Sequence, residues 1–267
     1  MRPRAQTGTA ARDEEDFSFL LANARAGKAL GLSDFVHLDQ PIGIRSYLRI
    51  ADDIAAHVPR GDLLDWGCGA GQMTYLLKRR GYGVTSFDIG DPASAAMADI
   101  PLSRELEVVR TTERTALPFA DGSFDAVLSC GVLEHVDEFS EPGDERRSLR
   151  EIARVLRPGG RLLIYQLPQR YAWQEAVSRR LQLGYSHPRR FTAAEICAML
   201  REAGYMIERL GRTNLIPRNL TGMPERLRTA YSRFSRELIA LDEQLCKVPG
   251  LKRVAGALEV TARLCVG

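Results

Sequence analysis

From Leu63 the chain reads Leu63-Leu64-Asp65-Trp66-Gly67-Cys68-Gly69-Ala70-Gly71, and Gln72 to Arg80 follows with apolar residues at helical spacing. This stretch narrows the possible folds more than any other. Three glycines in five residues let the backbone take φ angles closed to other residues and approach a ligand closely. The helix that follows presents unpaired N–H groups at its start. A strand, a glycine-rich turn and a helix in this order form the corner where open α/β sheets bind nucleotides. A bare βα turn seldom needs alternating glycines with an acid in front of them.

The chain beyond this corner keeps alternating. Gly83 to Asp88, Glu107 to Val109, Phe124 to Ser129 and Arg161 to Leu167 read as further strands. A helix from about Asp144 to Leu156 stops at Arg157-Pro158-Gly159-Gly160. Thr192 and Glu195 form a capping box for a helix that ends near Ala203. Tyr205 to Leu210 and the alternating Leu258 to Cys265 read as the last strands, the latter near an edge. The expected fold is α/β, a Rossmann-like, doubly wound, mainly parallel seven-stranded sheet. It carries N-terminal helices and a helical insertion before the last strand. The expected divisions are an N-terminal helical segment or lid over 1–60, a nucleotide-binding domain over 61–211 and 252–267, and the insertion over 212–251. Met1 to Asp16 is polar, mixed in charge and expected to be frayed.

The glycine spacing bears on the ligand. A dinucleotide fingerprint has the form G-x-G-x-x-G, but here the third glycine comes one residue early and Gln72 fills its place. Asp65 precedes the first glycine, where a carboxylate would repel a pyrophosphate. It better suits a cationic ligand. S-adenosylmethionine carries an ammonium, a sulfonium and no phosphate. Asp88 ends the second strand, where an acid accepts hydrogen bonds from ribose hydroxyls. It supports a ribose-containing cofactor of either kind.

These residues resemble the class I S-adenosylmethionine-dependent methyltransferases. Leu117-Pro118-Phe119-Ala120-Asp121-Gly122-Ser123-Phe124-Asp125, Leu133-Glu134-His135-Val136 and Leu156-Arg157-Pro158-Gly159-Gly160 extend the resemblance, as in the type 11 small-molecule branch. It covers about Leu63 to Leu167. The resemblance implies that Asp65, Gly67, Cys68, Gly69 and Gly71 hold the methionine part of the cofactor. Asp88 would hold the ribose, with Ile89 beside the adenine. Glu113 would face the adenine amino group, and the Arg114 N–H a ring nitrogen. The family usually has Asp at position 113 and an acid at position 115, where this chain has Thr115. Cys130 would offer its backbone carbonyl to the cofactor ammonium.

Methyl transfer from a sulfonium is an in-line displacement that needs alignment and exclusion of water. A hydroxyl acceptor also benefits from a base. His135 and His187 are the candidate bases, set against packing or turn roles, and His37 and His57 are read as structural. Some ubiquinone-pathway O-methyltransferases add a Glu three residues before the Glu-His pair and bind a divalent cation. That position is Gly131 here, so no metal is expected. The chain has no Asp/Asn-Pro-Pro-aromatic element for amino methylation. Cys130 follows Ser129 and not a proline, which argues against a thiolate nucleophile. Tyr165, Gln166, Tyr171, Trp173 and Tyr185 fall where the family builds acceptor pockets, and are equally suited to a core.

The net charge of the 267 residues is only +3, which argues against a surface built for nucleic acid. Val177 to Arg253 nevertheless holds 15 Lys/Arg against 7 Asp/Glu. Such a face is solvated or attracts an anionic acceptor or headgroups. Within it Leu227, Tyr231, Phe234, Leu238, Leu241 and Leu245 form a heptad-like stripe on one expected helix, Pro224 to Leu245. The stripe suits packing on its own domain, a lid or a homodimer seam. Nothing approaches the roughly 18 apolar residues of a membrane span. The five cysteines include no C-x-x-C pair, and with no export signal a reducing cytoplasm is expected. The expected activity is S-adenosylmethionine-dependent methyl transfer, to an oxygen of a small molecule, glycolipid or natural-product intermediate. The alternatives are a non-catalytic S-adenosylmethionine-binding module, an enzyme using that cofactor for other chemistry, and an NAD-dependent oxidoreductase.

Overall fold

The computed structural model describes residues 5–32, 35, 38, 40–89, 100–104, 106–137, 142–182, 186–218, 220 and 223–266. His37 and Tyr185 lie outside them. The seven strands are β1 (Asp62–Trp66), β2 (Gly83–Ile89), β3 (Val108–Thr111), β4 (Phe124–Cys130), β5 (Leu156–Pro168), β6 (Tyr205–Thr213) and β7 (Ala257–Leu264). They form one sheet in the order β3-β2-β1-β4-β5-β7-β6. The first five run parallel and β7 is antiparallel to both neighbours. The expected α/β architecture is therefore present, with β7 one strand in from the edge.

Helices α1 (Ala5–Ala29), α2 (Pro41–His57), α3 (Gln72–Lys78) and the short α4 (Pro101–Arg104) lie on one face. Their apolar residues, among them Leu20, Ile50, Ile54 and Leu76, meet Leu63, Leu128 and Leu163 of the sheet. The other face is covered by α5 (Leu133–Val136), α6 (Asp144–Val155) and α8 (Ala193–Glu202), whose Leu149, Ile152, Ile196 and Leu200 pack on Leu64, Val127, Leu162 and Val260. Side chains alternate across each strand, so every central strand feeds both cores. Helix α7 (Trp173–Leu181) follows β5. The capping box of α8 is formed as expected: Thr192 Oγ1 accepts from the Glu195 amide at 3.1 Å.

Two expectations are corrected. The N-terminal segment is helical from Ala5, not frayed up to Asp16. Its acids dock on the end of α3: Asp16 pairs with Arg79 at 2.9 Å and with Arg80 at 3.3 Å, and Asp13 reaches Arg80 at 3.3 Å. The expected helix over Pro224 to Leu245 is two helices, α9 (Glu225–Ser232) and α10 (Ser235–Leu245), broken at Arg233-Phe234. The break splits the stripe, leaving Tyr231, Leu238 and Leu245 partly buried. Leu227, Phe234 and Leu241 are exposed, whereas Ser235 and Asp242 are buried.

Candidate active site

Parallel register gathers the candidate residues on one line across the sheet. Trp66 stands opposite Phe87 of β2 and Ser129 of β4. One step further lie Gly67, Asp88 and Cys130, and Cys130 stands opposite Tyr165 of β5. The glycine turn is folded back on β2, since the amides of Gly67 and Cys68 both donate to the Phe87 carbonyl. Gly67, Gly69 and Gly71 all have positive φ, of 72°, 52° and 86°. At Gly67 a Cβ would collide with Val132, and at Gly71 with Leu106. At Gly69 nothing lies within 4 Å. The loop is thus closed on its flanks and open at its centre.

Asp88 braces this loop. Its Oδ2 accepts from the Gly69 amide and its Oδ1 from the Ile89 amide, both at 2.8 Å. Asp65 is buried beneath the loop. Its Oδ2 accepts from Thr74 Oγ1 of α3 at 2.6 Å. Burial pushes its carboxyl up to about 6, the Thr74 hydrogen bond opposes this, and the charge of Asp88 adds to it. A buried acid with so little compensation fits a ligand that brings a cation. Ile89 stands 44% exposed at the end of β2, and Glu113 and Arg114 are exposed after β3. The chemistry of these residues fits the ammonium, ribose and adenine of S-adenosylmethionine.

Residues 64–164 match a family model described as a methyltransferase domain. They are a class I S-adenosylmethionine-dependent methyltransferase domain of the type 11 branch. Over 121 residues the chain is 35% identical to Probable tRNA methyltransferase 9B of Bos taurus, covering 45% of this chain and 24% of that protein. Over 165 residues it is 29% identical to Ubiquinone biosynthesis O-methyltransferase of Aeromonas salmonicida, covering 58% of this chain and 67% of that protein. Among solved structures, the fold resembles the Burkholderia thailandensis 1,6-didemethyltoxoflavin-N1-methyltransferase with bound 1,6-didemethyltoxoflavin and S-adenosylhomocysteine. That likeness has a TM-score of 0.52 at 22% identity and covers 94% of this chain and 90% of that one. The match ends at Ile164, so the N-terminal helices and the insertion lie outside it.

The candidate bases converge. His135 on α5 and His187 after α7 have ring centroids 6.0 Å apart. His187 Nδ1 lies 2.8 Å from Glu175 Oε1, and Ser186 Oγ donates to Glu175 Oε2 at 2.7 Å. Burial works to raise the Glu175 carboxyl, but hydrogen bonds from His187 and Ser186 outweigh it and hold it below the usual range. The sequence reading assigns no metal because Gly131 lacks a carboxylate. The fold brings His187 to the same neighbourhood instead: ligand atoms of Glu134, His135 and His187 lie within 4.8 Å of one another.

The four described aromatic and amide candidates do not form one wall. Tyr165 is buried, and its hydroxyl donates to Asp53 of α2 at 2.6 Å. Tyr171 is 64% exposed. Trp173 donates its indole N–H to the Leu215 carbonyl at 2.7 Å. Gln166 has a positive φ of 59°, and it faces the Tyr47 hydroxyl together with Gln72. Burial raises the thiols of Cys68 and Cys130 far above the usual range, so both stay protonated. Sequence reasoning missed Tyr47, Thr74, Glu175 and the inward position of Arg218. Only Thr74 carried a signal, as a buried polar residue on the apolar face of a helix.

Proposed function

We propose that the chain moves a methyl group from S-adenosylmethionine to an oxygen of a small molecule, a class that includes glycolipid and natural-product intermediates. The observation that supports an oxygen acceptor is the Glu175–His187 pair beside His135. When bound, the cofactor supplies an electrophilic methyl on its sulfonium. Asp65 would neutralise the cofactor ammonium, Asp88 would hold the ribose hydroxyls, and Ile89, Glu113 and the Arg114 N–H would frame the adenine. Gly67, Cys68, Gly69, Gly71 and the Cys130 carbonyl would line the methionine part. Glu175 fixes the His187 proton on Nδ1, which makes Nε2 the basic nitrogen. That nitrogen would take the hydroxyl proton as the new C–O bond forms. A second reading rests on the Glu134, His135 and His187 grouping, which has the ligand types of a divalent cation site. A cation there would lower the acceptor's pKa in place of the base.

One experiment separates these readings. The protein is incubated with methyl-labelled cofactor and a panel of phenols and sugar alcohols. Label should pass to an acceptor, survive EDTA and fall about a hundredfold in His187→Gln, with S-adenosylhomocysteine affinity unchanged. Transfer lost on chelation and restored by Mg²⁺ assigns the grouping to a cation. Cofactor consumption without transferred label indicates other chemistry. Cofactor binding with no turnover indicates a binding module.

A further inference from the structure

The basic third of the chain carries a surface that the site does not use. Helix α7 buries none of its residues completely. Its inner side is engaged. Glu175 accepts from Ser186 and holds His187, and Gln174 donates to the Asn214 and Leu215 carbonyls. Helical periodicity puts Trp173, Ala176, Val177 and Arg180 together on the outer side, with Leu181 at its margin. Tyr171 stands just before the helix. Tyr171, Trp173, Val177 and Leu181 are between 39% and 64% exposed.

A second exposed apolar segment adjoins the start of α7. Val248, Leu251 and Val254 stand exposed around the 3-10 turn Leu251–Val254. Gln169, four residues before Trp173, donates from Nε2 to the Arg253 and Ala255 carbonyls, both at 2.8 Å. The Gly256 amide donates to the Asn214 carbonyl at 2.9 Å, the same carbonyl that accepts from Gln174 of α7. The two apolar segments are therefore tied to one point of the fold.

The charge of these segments is one-sided. Arg179, Arg180, Lys247 and Arg253 are exposed, and Lys252 is half-buried. Glu175 is the only carboxylate from Tyr171 to Gln182, and it is turned inward to His187. From Cys246 to Gly256 there is no acid at all. The outward apolar residues of α9 and α10 differ in this respect, because exposed Glu225, Glu237 and Glu243 are mixed with their arginines. Apolar side chains ringed by cations alone match an anionic, partly apolar surface.

We propose that the outer side of α7 and the 247–254 segment seat the chain on the surface of an anionic lipid bilayer. Tyr171 and Trp173 suit the headgroup boundary, where an aromatic ring has one apolar and one wet side. Val177, Leu181, Val248 and Leu251 enter the acyl edge of that boundary. The arginines and lysines lay their stems on lipid and reach the headgroup phosphates. The inner side of the same helix holds Glu175 against His187, so a seated chain keeps the candidate base roughly one helix diameter, about 10 Å, from the headgroups. The inference does not depend on the methyl-transfer reading.

The test sediments the full chain with phosphatidylcholine vesicles, either pure or with a third of the lipid replaced by phosphatidylglycerol. Each cation close to an anionic surface is worth about fivefold in partitioning, so the mixed vesicles should bind at least about tenfold more tightly than the neutral ones. The difference should shrink as salt is raised. The chain has two tryptophans, and Trp66 is buried whereas Trp173 is exposed. Mixed vesicles with brominated acyl chains should therefore quench the emission of Trp173. Arg179→Gln with Arg180→Gln should lower binding to mixed vesicles by about tenfold or more, and Val177→Ser with Leu181→Ser by about tenfold. Both variants alter exposed side chains, so their melting temperatures should match that of the unaltered chain. The proposal is overturned if mixed vesicles do not bind, if neutral vesicles bind as well, if brominated lipid leaves the emission unchanged, or if both variants bind as the unaltered chain does. Retention on immobilised polyglutamate with no vesicle binding would make the face a dock for an acidic protein and overturns the proposal too.

Discussion

Asp65 is a carboxyl buried at the expense of the fold. Its folded-state pKa of about 6 lies above the ordinary 3.8. Above pH 6 the carboxylate is charged in both folded and unfolded chains, and the fold bears its burial. As pH falls from 6 toward 4, the folded state takes up a proton the unfolded state does not, so stability rises. The shift corresponds to about 3 kcal/mol. Asp65→Asn should therefore stabilise the ligand-free protein at pH 8 by about 1–3 kcal/mol, with the gain vanishing near pH 4. The same variant should bind S-adenosylmethionine at least about tenfold more weakly. Urea titrations at two pH values and calorimetry check both halves, and an Asn variant that loses stability at pH 8 would sink the assignment. The residues of this corner were legible because glycine spacing and a preceding acid are local signals. Glu175 and Tyr47 were not, since nothing in their own neighbourhoods marks them. Glu175 meets His187 only because the chain doubles back after α7, and Tyr47 reaches Gln166 only because α2 crosses the sheet.

At the scale of elements, alternation of strands and helices was readable and the packing of charged helices was not. Sequence periodicity suggests that α1 starts at Phe17, because its first turns carry acids and few apolar residues. What holds those turns is tertiary: Arg80 has a fully buried side chain, paired with Asp16, Asp13 and Asp52. A buried pair broken from one side leaves an uncompensated charge, which costs about 3–5 kcal/mol. Asp16→Ala should destabilise the protein by about 3 kcal/mol, the low end, because Asp13 and Asp52 remain. Exposed Glu15→Ala should cost less than about 1 kcal/mol, although Glu15 also pairs with Arg79. Denaturation midpoints for the two variants decide the matter, and equal losses would mean that α1 docks by its apolar side alone. The helix break at Arg233-Phe234 was hidden for a related reason. Leu, Tyr and Phe at spacings of three and four describe an unbroken stripe, and only the fit of Ser235 and Asp242 against neighbours forces the turn between α9 and α10.

Across the whole molecule, the insertion packs against the N-terminal helices. Arg45 of α2 donates to Ser235 of α10 at 3.2 Å, Ser232 pairs with Gln40 at 3.0 Å, and Glu14 of α1 is shared by Arg45 and Arg236. Leu238 and Ile239 of α10 line a small cavity together with Ile42 and Ser46 of α2. Leu238 lies in this seam, whereas Phe234 and Leu241 face outward. If the insertion closes over the acceptor, Leu238→Asp should place a charge in that seam and loosen it. Protease cleavage in residues 214–224 should then quicken and the acceptor KM should rise about tenfold, with S-adenosylhomocysteine affinity unchanged. Phe234→Ser with Leu241→Ser should leave cleavage and KM as they are, and should lower any self-association seen by sedimentation. If the outer pair raises KM while Leu238→Asp does not, the acceptor is covered by a second copy of the chain and not by its own insertion.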